Sequence, residues 1–381
     1  MSVTGASKAG VSKAGVSKTI VGVELGPRRY DVHIGAIAPA EAAAAIADAL
    51  GAVTGVALLV DEQVGVRSPR VEPLALALRA RLPSVKRFDL RAGEACKTLS
   101  EIERTTQWLA EQGYDRRGAI VGVGGGAATD HAGFAAAVYL RGVRFALIPT
   151  TLLAMVDASV GGKTAVDLPA GKNLVGAFHQ PSAVVADLGF LETLPAREVR
   201  AGLAEVAKCG FIVDAEVLTI LEALPPGEAK LPEAVAAELV ARAVRVKAEV
   251  VAEDETESGR RAILNFGHTV GHALEAASGY GLLHGEAVGL GMLAALSLGE
   301  ARGLGTPALT ARARALLARL GLPVDLAPRL SADVLARVTV DKKRRGGAIK
   351  FVFCPAAGET KLVDVSPGEI AAHFLSGKGR A

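Results

Sequence analysis

Three of the chain's seven histidines fall within seventeen positions, in the run Asn265-Phe-Gly-His268-Thr-Val-Gly-His272 and the following Leu283-His284-Gly-Glu286. Neutral imidazole is the commonest nitrogen ligand for zinc, and a catalytic zinc takes three protein ligands and keeps one position open. His268 and His272 are four apart, so a helical stretch sets them on one face, with Asn265 one turn earlier on that face. The plainer alternative is two surface histidines on an amphipathic helix. The segment Ala201-Gly-Leu-Ala-Glu205-Val-Ala-Lys208 bears on the choice. Glu205 and Lys208 share a helix face at i,i+3 spacing, where a surface ion pair is the ordinary explanation. Their small apolar neighbours instead mark a buried helix, in which charges need partners. Glu205 is then a candidate third ligand.

Two other segments have the chemistry of anion binding. Val121-Gly-Val-Gly-Gly-Gly-Ala-Ala-Thr-Asp130 lies between a strand signal and a helix signal. Glycines there let backbone N–H groups approach a pyrophosphate, and the helix N-terminus favours its charge. A tight strand–helix turn explains the same glycines. The usual acidic residue about 20 positions downstream is absent, and Asp61, at the end of an earlier strand, is the candidate ribose contact in its place. The second segment runs Pro149-Thr150-Thr151-Leu-Leu-Ala-Met-Val-Asp157-Ala-Ser-Val-Gly-Gly-Lys163-Thr and continues at Gly171-Lys172-Asn173. It reads as loop-like, and a lysine on such a loop binds phosphate as a point charge. Arg242, Arg245, Lys247, Asp254, Glu255, Glu257, Arg260 and Arg261 read mostly as a salt-bridged helical face. Asp341-Lys342-Lys343-Arg344-Arg345 reads as a solvated basic run or as a cover for a phosphate.

The elements that position these residues follow from periodicity. Residues 1–18 carry a short Ser-Lys-Ala-Gly-Val repeat and read as a disordered tail. Residues 19–195 alternate strand and helix signals: helices over 40–50, 74–81, 98–112 (capped by Thr98 or Ser100) and 132–139, and strands over 56–60, 119–123 and 145–148. That rhythm predicts a parallel sheet covered by helices. After Leu194-Pro195 the texture becomes helical, over 197–210, 214–223, 232–252, 262–277, 285–303 and 308–320, with a small hairpin at 349–353 and 360–363. The expected fold is an α/β domain at 19–195 and a mostly helical domain at 196–381, and clefts between such domains take ligands. The chain has 381 residues, half of them hydrophobic, which suits two domains. A net charge of +3 makes no case for nucleic acid. No apolar run reaches the ~20 residues of a membrane span, and no secretory signal is read. Cys96, Cys209 and Cys354 form no disulfide framework, so a reducing cytoplasm is expected.

Taken in order, these motifs resemble the 3-dehydroquinate synthase family. The resemblance runs from about residue 20 to 365 and includes Gly93-Glu94-Ala-Cys-Lys97-Thr, the Gly124–Asp130 turn and Tyr139-Leu-Arg141-Gly. It continues through Pro149-Thr-Thr, Val156-Asp157-Ala-Ser-Val-Gly-Gly-Lys163, Gly171-Lys172-Asn173, Phe190-Leu-Glu-Thr193, Gly202-Leu-Ala-Glu205-Val-Ala-Lys208, Asn265-Phe-Gly-His268, His284-Gly-Glu and Asp341-Lys342-Lys343. It implies a dehydroquinate synthase-like fold, an α/β NAD-binding domain followed by a helical domain with the active site between them. Glu205, His268 and His284 are implied to bind zinc, with cobalt an alternative. NAD contacts are implied for Asp61, Gly93, Glu94, Lys97, Gly125, Gly126, Ala127, Asp130, Thr150, Thr151, Lys163, Lys172, Phe190, Leu191, Glu192 and Thr193. Substrate contacts fall on Asp157, Lys163, Asn173, Lys208, Lys247, Arg261, Asn265, His272 and one of Lys342 or Lys343. Arg141 resembles an arginine that reaches the phosphate site of a neighbouring subunit, which implies a homodimer.

The implied substrate is a sugar phosphate, 3-deoxy-D-arabino-heptulosonate 7-phosphate. The implied reaction is transient oxidation by NAD, β-elimination of phosphate, re-reduction and intramolecular aldol closure. His272 is thereby separated from the ligands and given to the phosphate and its proton relay. The chain departs from the family pattern at Thr129, directly before Asp130, where many members have glycine, at Gln63, where asparagine is frequent, and at Cys209, where tyrosine is frequent; Cys96 sits inside the nucleotide-contact segment. Three other readings stay open: an amino-dehydroquinate synthase or another sugar-phosphate cyclase, a metal-dependent polyol dehydrogenase, and a catalytically dead binding protein.

Overall fold

The computed structural model describes residues 18–279, 281–340 and 347–375. Its main sheet has seven strands: β1 (Thr19–Val23), β2 (Tyr30–Gly35), β3 (Val56–Asp61), β4 (Val85–Leu90), β5 (Ala119–Gly124), β6 (Arg144–Pro149) and β9 (Ala183–Asp187). Their order is β1-β2-β9-β6-β5-β3-β4, parallel except for the β1/β2 pair. Every residue of β3, β5 and β9 is buried, as expected for strands with helices on both faces. β4 lies on one side of β3 and β5 on the other, so the strand order reverses between β3 and β5. Open α/β sheets bind ligands in the crevice beyond the carboxyl ends of the strands at such a reversal. Asp61, the Gly124–Gly126 turn and Thr150 all sit at those ends.

The second part contains helices Ala196–Ile212, Glu216–Glu222, Glu233–Glu253, His268–Ala277, His284–Ala301, Pro307–Arg319, Ala332–Val340 and Pro367–Leu375, and the antiparallel hairpin of β10 (Ile349–Phe353) and β11 (Lys361–Val365). Helix Glu233–Glu253 packs across β1 and β2, so the edge of the sheet is covered by the second part of the chain. Lys18, read with the tail, forms an ion pair with Glu41 at 2.5 Å. Residues 1–17 and the basic run with Lys342 and Lys343 lie outside the described residues.

Three expectations are corrected. The single helix read over 262–277 is two elements, a 3-10 turn at Arg260–Asn265 and a helix that starts at His268. Gly267 separates them with φ +81°, and a side chain there would meet the Val288 carbonyl oxygen at 2.8 Å. Asn265 is therefore not on a helical face with His268. The loop-like glycine and lysine segment is an antiparallel hairpin, β7 (Lys163–Leu168) and β8 (Gly171–Phe178), which packs on helix Gly126–Val138. Its alternation of burial was masked by glycines and charges. The helix expected from residue 132 begins at Gly126, directly on the glycine turn.

A buried histidine in this part gives a pH-dependent expectation. His131 is fully buried, with Nδ1 donating to the Cys96 carbonyl and Nε2 accepting from Thr105 Oγ1, both at 2.8 Å. Burial pushes its pKa from 6.5 down to about 4. The unfolded chain then binds a proton between those values that the native state does not. This contribution to stability is complete above pH 6.5 and is lost as pH falls toward 4, up to about 3 kcal/mol. Chemical denaturation of the protein and of His131→Gln across this window should show a shallower acid loss in the variant; parallel curves would contradict it.

Candidate active site

Three helices bring the candidate ligands together. Glu205 lies in the middle of Ala196–Ile212, while His268 and His284 are the first residues of their helices. One donor atom from each lies within 4.8 Å of the others. Glu205 Oε1 is 3.7 Å from His268 Nε2 and 3.5 Å from His284 Nε2. Ligands at ~2.0–2.1 Å in a tetrahedral zinc shell are themselves about 3.4 Å apart, so the set fits such an ion. Glu205 Oε1 is buried and, among the described residues, has no hydrogen-bond partner in good geometry; it faces the two imidazoles, which suits it to a cation.

The electrostatics agree with ligation. Burial alone would raise the Glu205 carboxyl, but Lys208, with His284 and His268, holds it well below the usual carboxylate range. Burial, reinforced by Lys208, keeps His268 neutral. Burial opposes charge on His284 too, yet Glu205 and Glu275 lift its pKa to about 9, so a metal must displace a proton there. His268 Nδ1 faces the Phe266 carbonyl at 3.2 Å, and a carbonyl only accepts. Nδ1 therefore carries the hydrogen, and the lone pair is left on Nε2. His272 is one turn further on; its ring stands 5.3 Å from that of His268 and 5.8 Å from that of His284, beside the trio and outside it.

Glycines set this geometry. A Cβ on Gly285 would lie 1.9 Å from the Ala201 carbonyl oxygen, and one on Gly291 would lie 1.9 Å from that of Gly267. The helices carrying Glu205, His268 and His284 thus touch backbone to backbone, which carries the ligands inward.

The basic residues separate into two groups. Lys208 contacts Glu205, and Lys247 binds both the side chain and the carbonyl of Asp157, which sits on a π-turn at Ala154–Ala158. Burial would raise the Asp157 carboxyl, but Lys247 and then Lys208 hold it well below its ordinary value. Arg261 is buried; its guanidinium donates to the carbonyls of Glu255 and, at 2.9 Å, Gly161, while Nε has no partner among the described residues. Lys163 pairs with Glu257, which also accepts from Asn265 Nδ2 at 2.5 Å. Glu257 holds φ +59°, a conformation in which non-glycine residues are uncommon. Sequence reasoning left Glu257 in a salt-bridged helical face. The surface pairing belongs instead to Arg242 with Asp214 and Glu238, and to Arg260 with Glu249 and Glu253. Asp254, from the same group, binds the backbone of Ser258, Gly259 and Arg261 and so shapes the loop that holds Glu257.

The second group faces the sheet crevice. Lys97 is buried and donates to Asp130 at 2.7 Å and Asn173 at 2.6 Å. Burial pushes the Asp130 carboxyl up to about 6 in spite of Lys97. The structure thus brings Asn173 to Lys97 rather than to Lys163 and Asn265. Asp61 caps helix Glu62–Arg67 through Gln63 and Val64 and accepts from Gly93 N at 3.1 Å, so its carboxylate is already engaged by backbone. Gly93 and Glu94 form the turn after β4, and Glu94 lies 3.5 Å from Lys172. Gly125 caps the helix that Gly126 and Ala127 begin. Thr151 Oγ1 accepts from Ala154 N, while the buried Thr150 Oγ1 has no partner among the described residues. Phe190, Leu191, Glu192 and Thr193 form a 3-10 turn after β9. An orphaned hydroxyl beside a glycine-led helix N-terminus at the strand reversal suits a dinucleotide. Arg141 is exposed at the end of the turn Tyr139–Arg141, with φ +68°.

Glu275 was missed altogether. It is buried on the His268–Ala277 helix and touches Lys172 and His284; its only sequence signal is a carboxylate in an otherwise apolar run.

Comparison with known proteins agrees with this geometry. The family models for the 3-dehydroquinate synthase N-terminal and C-terminal domains match residues 87–201 and 202–344. A 3-dehydroquinate synthase of Cereibacter sphaeroides is 46% identical over 363 residues, covering 93% of this chain and 97% of that protein. Among solved structures, the 2-epi-5-epi-valiolone synthase ValA of Streptomyces hygroscopicus, with NAD+ and Zn2+ bound, is 32% identical with a TM-score of 0.80 and covers 91% of this chain and 96% of its own. A 2-deoxy-scyllo-inosose synthase complexed with carbaglucose-6-phosphate, NAD+ and Co2+ is 27% identical with a TM-score of 0.83, covering 93% and 99%. Among the described residues no helix is long and apolar enough to cross a membrane. With both family models matched in sequence and Glu205, His268 and His284 brought together in the fold, this chain belongs to the 3-dehydroquinate synthase family.

Proposed function

We propose that the protein converts 3-deoxy-D-arabino-heptulosonate 7-phosphate to 3-dehydroquinate and phosphate, using NAD and one divalent metal ion, zinc or cobalt. The observation that carries the reading is the convergence of Glu205, His268 and His284 beside a set of buried cationic side chains. When bound, NAD supplies a transient hydride acceptor and the metal a Lewis acid that acidifies a substrate hydroxyl. Glu205 Oε1 and the two Nε2 atoms would hold the metal. Gly125, Gly126, Ala127 and Thr150 would hold the nucleotide, with Lys97 and Asp130 beside it. Lys247 and Arg261 are fixed by Asp157 and Gly161 and suit the substrate carboxylate; the unpartnered Arg261 Nε is the donor left over. Lys163, Asn265 and His272 suit the phosphate. Glu257, between Lys163 and Asn265, is an acceptor placed to move a proton during elimination.

The test is a phosphate-release assay on purified protein. About one metal per chain is expected by the three-ligand argument, with release that requires NAD and leaves no net NADH. Protein that purifies without metal and releases no phosphate even when supplied with NAD and zinc or cobalt would sink the reading, and net NADH would favour a polyol dehydrogenase. The amino analogue of the substrate, run alongside, separates the amino-dehydroquinate reaction. The proposed site of action is the cytoplasm, in keeping with three buried free thiols. A homodimer, with Arg141 presented to the partner, is the proposed assembly.

A further inference from the structure

The described contacts place one buried carboxylate between the two halves of the site. His284 turns Nε2 toward Glu205 Oε1 at 3.5 Å and Nδ1 toward Glu275 Oε2 at 3.3 Å. The second oxygen, Glu275 Oε1, accepts from Lys172 Nζ at 2.7 Å. Glu275 is only 4% exposed, amid the apolar side of its helix with Ala273 and Leu274. A carboxylate is costly in such a place unless its partners need it.

His284 is the partner with the need. Its ring is the less buried of the two candidate ligand histidines, with side-chain exposure of 29% against 12% for His268. His268 is oriented by the Phe266 carbonyl in its own turn, whereas His284, the first residue of its helix, shows contact at Nδ1 with Glu275. A carboxylate accepting from Nδ1–H leaves the lone pair on Nε2, aims it, and raises its basicity. Lys172 comes from β8 and also lies 3.5 Å from Glu94, which belongs to the crevice at the strand ends. The carboxylate is therefore held from the sheet side and acts on the helical side.

We propose that Glu275 is the positioning residue for His284, fixing its tautomer and direction for metal binding, and that Lys172 anchors Glu275 from the opposite half of the molecule. This rests on the reading of Glu205, His268 and His284 as ligands.

The experiment uses full-length protein and four variants: Glu275→Ala, Glu275→Gln, Lys172→Met and His284→Ala. Zinc affinity is read by competition with a chromophoric chelator, and ligand geometry by the visible absorption of the Co2+ form. Glu275→Ala should weaken zinc binding about 10- to 100-fold, the usual effect of removing such an outer partner, and alter the Co2+ bands. Glu275→Gln should give a smaller loss with a shifted spectrum, because the amide oxygen still accepts from Nδ1–H but carries no charge, and Lys172→Met likewise, because the carboxylate stays but loses its anchor. Glu275→Ala with wild-type affinity and superimposable Co2+ bands overturns the proposal. If Glu275→Ala does not fold, as judged by melting of the metal-free forms, Glu275→Gln decides, and an unchanged spectrum there overturns it equally. Wild-type protein that binds no zinc, or binds it as tightly after His284→Ala, refutes the ligand reading beneath it instead.

Discussion

His268→Ala should leave the purified protein with almost no metal and lower phosphate release by about a thousandfold or more. A Lewis acid contributes several kcal/mol to a barrier, and each 1.36 kcal/mol is a factor of ten. His268 is neutral in the fold and contributes one of three donor atoms, so its loss leaves Glu205 and His284 as a two-ligand site. His272→Ala is the companion measurement. Its ring packs against both candidate ligand rings but lies outside the trio, so metal content should stay near one per chain. The rate should still fall by about a hundredfold, the scale of a lost proton-transfer group. Metal analysis of the two variants settles the matter: retention in His268→Ala with loss in His272→Ala would exchange their roles.

The second large effect comes from one methyl group. Gly285→Ala places a Cβ where the Ala201 carbonyl oxygen lies 1.9 Å away. That neighbour is backbone and cannot rotate aside, so the two helices must part. Overpacking usually costs about 1–3 kcal/mol, and a clash without a side-chain escape belongs at or beyond the upper end. Helix separation also moves His284, the adjacent residue, away from Glu205, which lies one turn beyond Ala201. Denaturant midpoint and zinc affinity should therefore fall together. Gly289→Ala is the control on the same helix: its nearest contact is the flexible Leu317 side chain at 3.7 Å. There the substitution should be neutral or gain up to ~1 kcal/mol of helix propensity. Equal behaviour of the two variants would dismiss the backbone contact as the cause.

The parallel sheet was legible because β3, β5 and β6 contain unbroken apolar runs at 56–60, 119–123 and 145–148, and two-sided burial writes itself into composition. The candidate ligand trio was assigned through resemblance, since no local spacing links Glu205 to His268, and the fold brings its three residues together. What stayed hidden is what tertiary contact decides. The hairpin β7/β8 has glycines and charges where strands show alternation, and the break at Gly267 depends on the approach of Val288. Glu257 and Glu275 looked like surface charge or nothing, because their meaning lies in partners up to 103 positions away, as between Lys172 and Glu275. Asp61 illustrates the reverse: a residue read for a ribose is also a helix cap, through a local Asx contact visible in sequence only after the helix is known.

Helix Glu233–Glu253 closes over β1 and β2, a hairpin that leaves the ribosome well before it. Its covering partner is made roughly 200 residues later, which at about 5–20 residues per second is a wait of some 10–40 s. During that interval Val21, Val23, Val32 and Ile34, all buried in the finished fold, have no lid. The nascent chain must therefore carry that apolar edge uncovered until the helix is made.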